Sequence, residues 1–103
     1  MKIEILYFKD CPNQEAADIR IRMVLAELGQ VCEVVLVEVP DDATAERLRF
    51  PGSPTIRVDG KDVVPEETTG LYGLSCRVYS TPSGVSGVPE IEAIRRAVQR
   101  NVQ

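Results

Sequence analysis

Within the first forty residues the apolar pattern changes period twice, and that change confines the chain to a small set of folds. Ile3-Glu4-Ile5-Leu6-Tyr7-Phe8 is short and mostly apolar on both faces, the pattern of a first strand. From Pro12 to Leu28 the residues Ala17, Ile21, Val24, Leu25 and Leu28 recur at the i, i+4, i+7, i+8, i+11 spacing of one buried helical stripe. Gly29 suits the C′ position that stops such a helix. Val31 to Val39 is then nearly continuously apolar and rich in valine, which predicts a strand covered on both faces of an α/β sheet.

The rest of the chain extends this strand–helix–strand unit. Asp41 or Asp42 suits the cap of a short helix ending at Leu48. Thr55–Val58, the turn Asp59-Gly60 and Asp62–Val64 predict a hairpin with favourable turn chemistry. A last helix is expected from near Pro89 to about Arg100, with Ile91, Ile94 and Val98 as its apolar stripe. Glu90 and Glu92 lie toward its positive end, and Arg95, Arg96 and Arg100 toward its negative end, as dipole compensation requires. The element order is βαβ-α-ββ-α. Between Pro65 and Pro89 lies a glycine-rich stretch that this order does not need. It contains Leu74-Ser75-Cys76-Arg77-Val78-Tyr79, and loops of that length are often functional.

Composition removes several classes of function. At 103 residues the chain fits one domain, residues 1–103, with a core that needs no metal or disulfide staples. A net charge of -4 with no basic stripe argues against nucleic-acid and anionic-membrane partners. The opening run is too short for a signal segment and no stretch reaches transmembrane length, so a cytoplasmic protein is expected. There is no histidine, which excludes Cys-His and Ser-His-Asp catalysis and the commonest zinc and iron sites. No cofactor and no metal site is expected. Asp41-Asp42 reads as a cap, because no further oxygen ligands follow at regular spacing.

Chemistry is thereby left to thiols, carboxylates, Lys, Arg, Tyr or the backbone. Cys11 precedes Pro12 at the expected start of the first long helix, whose unpaired N–H groups and dipole stabilise a thiolate, with pKa values of roughly 3.5–7.5 at such positions. A buried cysteine at a strand end is the alternative. Cys32, in phase with Val34 and Leu36, reads as a core residue. Cys76 has two readings, a mobile second thiol stabilised by Arg77, or one member of an apolar face formed with Leu74 and Val78. Tyr72 and Tyr79 read as structural tyrosines, with the lining of a pocket as the alternative.

Taken together, Tyr7-Phe8 followed by Cys11-Pro12-Asn13-Gln14, and Gly52-Ser53-Pro54-Thr55-Ile56 about forty residues on, resemble the thioredoxin-like superfamily. The resemblance implies an α/β fold with a four-stranded mixed sheet flanked by helices and a cis peptide bond between Ser53 and Pro54. It also implies that Cys11 is the nucleophile, and that Ser53, Pro54 and Thr55 shape a groove where backbone groups meet an extended substrate. Against that pattern, residues 66–88 are an insertion before the last helix. Within the superfamily, the Cys-Pro-Asn start and Tyr72-Gly73-Leu74-Ser75-Cys76-Arg77 resemble a small bacterial group, some members of which carry selenocysteine at the position of Cys11.

The usual second cysteine would fall at position 14, where this chain has glutamine. A vicinal dithiol resolves a mixed disulfide by attack of the second sulfur, and Gln14 has none. The expected function is therefore a thiol-disulfide oxidoreductase resolved by Cys76 or by a small thiol, acting on a protein or a low-molecular-weight thiol or disulfide. A thiolate site for a soft metal or metalloid and a redox-inactive interaction module are the alternatives.

Overall fold

A computed structural model describes residues 1–65 and 72–101. The first strand, β1 (Lys2–Tyr7), is followed by helix α1 (Gln14–Leu28) and by strand β2 (Glu33–Glu38), which pairs with β1 in parallel. A parallel pair needs a crossover, and α1 provides it. Helix α2 (Asp42–Leu48) then leads to β3 (Thr55–Val58), antiparallel to β1, and to the short β4 (Lys61–Asp62). The result is an α/β fold with a mixed four-stranded sheet in the order β2-β1-β3-β4. Helix α3 (Ile91–Asn101) is the last described element.

Alternation along the central strand decides which helix packs where. Ile3 and Ile5 point to one face, where they meet Ile56 and Val58 of β3, the α1 stripe Ala17, Ile21, Val24 and Leu25, and Ile94, Ala97 and Val98 of α3. Leu6 points to the other face and packs with Val39, Ala45 and Phe50 under α2. The helices therefore flank the sheet on both sides.

Local chemistry sets the ends of these elements. Gly29 takes a left-handed conformation after α1. The Asp41 carboxylate accepts from the Thr44 N–H at 2.8 Å and caps α2. Hydrogen bonding from the Thr44 side chain, and then from its backbone N–H, holds the Asp41 carboxyl below its ordinary range. Asp59 and Gly60 both have positive φ between β3 and β4, the conformation of a type I′ hairpin turn.

Four expectations are corrected. Strand β2 lies at the sheet edge and is not covered on both faces: Leu36 is half-exposed and Val31, outside the strand, is fully exposed. The last helix starts two residues after Pro89, with the Glu90 carbonyl accepting from Ala93 and Ile94. Arg95 is not a dipole counterion: it bridges Glu27 of α1 and Glu92 of α3, so it ties two helices together. The Glu27 carboxyl is held below its ordinary range by that hydrogen bond. Finally, the stretch before α3 contains a second small sheet, β5 (Tyr79–Thr81) paired antiparallel with β6 (Gly84–Ser86). The expectations for Glu66, Glu67 and Gly70 lie outside the described residues. Among the described residues no helix is long and apolar enough to cross a membrane.

Candidate functional site

The end of β1 and the start of β3 are neighbours because Leu6 pairs with Thr55. The two chain segments that flank this pair, Phe8 to Asn13 and Gly52 to Pro54, therefore lie at the same end of the sheet. The Cys11 N–H donates to the Phe8 carbonyl at 3.0 Å, forming a turn that leads into α1. Asn13 occupies the N-cap but its side chain makes no capping hydrogen bond. It lies instead against Gly87, where a Cβ would collide with the Asn13 amide. The first-turn N–H groups of α1 thus lack the usual side-chain acceptor. Cys11 is half-buried, two residues ahead of that N-cap.

On the other side of the site, the Ser53–Pro54 peptide is cis, as expected. Ser53 and Thr55 are fully buried. The Thr55 hydroxyl donates to the Gly52 carbonyl at 2.6 Å. The Ser53 hydroxyl oxygen is buried with no hydrogen-bond partner among the described residues.

The backbone of Ser53 is already paired. Its N–H donates to the Ser75 carbonyl at 2.8 Å, and its carbonyl accepts from the Arg77 N–H at 2.9 Å. These bonds make a parallel bridge between Ser53 and Cys76. Side chains hold the bridge in place. The Arg77 guanidinium donates to Asp62 at 2.7 Å, to the Thr55 hydroxyl at 3.2 Å and to the Val64 carbonyl at 2.6 Å. It also lies 4.6 Å from the centre of the Tyr79 ring. On the approach to the bridge, Asp42 accepts from the Leu74 N–H and the Phe50 carbonyl from the Gly73 N–H, both at 3.2 Å.

Tyr79 connects the two halves. It is buried, and its hydroxyl donates to the Pro54 carbonyl at 2.5 Å. Burial pushes its pKa well up, the Arg77 charge opposes that shift, and the neighbouring Asp62 and Cys11 add to it. Tyr79 and Pro54 thus meet at the end of the sheet where the turn bearing Cys11 also lies.

Two expectations about the insertion change. Leu74, Cys76 and Val78 do alternate as one face, but that face is the exposed one. The buried set is Arg77 and Tyr79, because the arginine finds a carboxylate, a hydroxyl and a carbonyl beneath it. For the same reason the Arg77 guanidinium serves the scaffold and is not the partner of a Cys76 thiolate. Cys76 itself is exposed, with its backbone against Ser53. Cys32 is half-buried and packs on the main core, and burial raises its thiol pKa, with a smaller effect from Asp59 and an opposing one from the N-terminus. Sequence reasoning missed Asp62, Gly52 and Asp42 as the residues that fix the insertion. Gly52 carried the only signal, as the residue leading into Ser53-Pro54: with φ of 148°, it admits Arg77 where a Cβ would sit 3.0 Å from the Arg77 Cβ.

Among the described residues no group of three or more Cys, Asp or Glu side chains is arranged to hold a metal ion. Comparison with protein-family models, with curated proteins and with solved structures finds no match to this chain.

Proposed function

We propose that the protein is a thioredoxin-like thiol-disulfide oxidoreductase whose nucleophile is Cys11. The observation that carries this reading is that the turn bearing Cys11 and the cis Ser53–Pro54 loop lie at the same end of the sheet, because Leu6 pairs with Thr55. Three further features support it. The strand order and the placement of helices agree with the resemblance drawn from Cys11-Pro12 and Ser53-Pro54-Thr55. Helix α1 starts just after Cys11, and its first-turn N–H groups have no side-chain cap. A second thiol, Cys76, is exposed on the segment bridged to Ser53.

The chemistry is two exchanges. The Cys11 thiolate attacks one sulfur of a disulfide R–S–S–R′, forming Cys11–S–S–R and expelling R′S⁻, which takes a proton from water. Either the Cys76 thiolate then attacks the Cys11 sulfur, expelling RS⁻ and leaving a Cys11–Cys76 disulfide, or a low-molecular-weight thiol attacks the adduct. In the first route a low-molecular-weight thiol reduces the internal disulfide.

Mild peroxide separates the two routes. It converts Cys11 to a sulfenic acid, which a second thiol condenses to a disulfide with loss of water. Peptide mapping is expected to find a Cys11–Cys76 link, and Cys76→Ser to leave a sulfenic acid or an external thiol adduct on Cys11. Oxidation of Cys11 no faster than that of Cys32 would overturn the nucleophile assignment.

A further inference from the structure

A backbone N–H and carbonyl at the edge of a sheet form a site where an extended peptide can add as a strand. At Ser53, at the same end of the sheet as Cys11, both groups are taken: Ser75 and Arg77 of the same chain hold them at 2.8 and 2.9 Å. The occupying segment is not loosely laid there. Arg77 is buried, with Asp62, Thr55 and Val64 as partners, and Gly52 lacks the Cβ that would push it away. Cys76, between the two bonding residues, stays exposed.

We infer that residues 75–77 are a built-in occupant of the peptide edge at Ser53, so that the Cys11 site accepts low-molecular-weight disulfides and excludes extended polypeptide substrates. This selectivity rests on the reading of Cys11 as a nucleophile. The segment is a specificity determinant: a peptide disulfide must first displace both Ser53 hydrogen bonds and the Arg77 anchor, whereas a small disulfide needs only the sulfur of Cys11. In the exchange that follows, Cys11 and one substrate sulfur form a new S–S bond as the substrate S–S bond breaks, and the departing thiolate is protonated by water. A low-molecular-weight thiol then attacks the adduct and restores the Cys11 thiolate, so the electron pair comes from that thiol.

The test compares two probes on a Cys32→Ser, Cys76→Ser background, in which Cys11 is the one remaining thiol. One probe is 2,2′-dipyridyl disulfide; the other is a ten-residue peptide carrying a pyridyl-disulfide-activated cysteine at its centre. Pyridine-2-thione release gives the rate of adduct formation at Cys11. The peptide is expected to react at least about tenfold more slowly than the small probe, as the loss of two hydrogen bonds requires. Arg77→Ala is expected to bring the two rates to within about threefold of each other and to release the Ser53 and Arg77 amides to hydrogen exchange. Asp62→Asn, which removes only the opposing charge, should shift the rate ratio in the same direction and serves if Arg77→Ala does not fold.

Equal rates with both probes on the starting background would overturn the inference. So would an unchanged ratio in the variants once their Ser53 amide exchanges freely. The oxidoreductase reading fails separately: if the rate ratio behaves as described but the wild-type protein turns over no small disulfide in the presence of a thiol reductant, the occlusion stands and the catalytic assignment falls.

Discussion

Cys11 and Cys32 are both half-buried, yet their surroundings differ in kind. Cys32 packs against the apolar core, where desolvation disfavours its thiolate and raises its pKa. Cys11 sits in the turn before α1, two residues ahead of the N-cap Asn13, and its N–H donates to the Phe8 carbonyl. Iodoacetamide at pH 6 is therefore expected to label Cys11 faster than Cys32, whose thiolate burial disfavours. Mass spectrometry of the tryptic peptides measures it, and equal slow labelling would return Cys11 to a structural role. Gly52 is the other residue on which the site turns. Gly52→Ala places a Cβ 3.0 Å from the Arg77 Cβ at a φ of 148°, a conformation rarely taken by other residues. A loss of about 1–3 kcal/mol is expected from urea unfolding, the range for backbone strain of this kind.

Among the elements, the segment from Ser75 to Tyr79 is held by polar contacts and not by its apolar residues. Arg77→Ala leaves Asp62 without its partner and is expected to cost about 3 kcal/mol, as for other broken buried pairs. Tyr79 adds a pH dependence. Its folded pKa is raised above the ordinary 10.0, so its neutral form is favoured by folding. Its contribution is complete below pH 10 and is lost as pH rises from there toward the folded value. Wild-type stability should therefore fall more steeply above pH 10 than that of Tyr79→Phe, by urea midpoints at pH 9 and 11; parallel slopes would contradict the burial argument. This segment also marks the limit of what was legible in the sequence. The α1 stripe, the α2 cap and the Asp59-Gly60 turn could be read because local periodicity and backbone preference determine them. The facing of residues 74–79 could not, because an alternating hydrophobic pattern assigns Leu74, Cys76 and Val78 to the core. Burying Arg77 instead depends on Asp62, Thr55 and Val64, which are 13 to 22 residues away. The edge position of β2 was hidden for a related reason, since its valines read as doubly covered whatever neighbours the strand has.

At the scale of the whole molecule, one apolar core joins α1, α3 and the sheet, and a smaller one sits under α2. Neither core includes residues 72–78, so that segment contributes to the site and not to the main packing. Its attachment reaches α2 through Asp42, β4 through Asp62 and the Ser53–Pro54 loop through Ser53. The function assigned to this arrangement depends on one sulfur. The most direct measurement is steady-state reduction of bis(2-hydroxyethyl) disulfide by a small thiol, with wild-type protein, Cys11→Ser, Cys32→Ser and Cys76→Ser compared at pH 7. The account predicts turnover by the wild type and by Cys32→Ser, none above background by Cys11→Ser, and for Cys76→Ser either unchanged turnover or a trapped Cys11 adduct. Turnover by Cys11→Ser equal to that of the wild type would contradict it.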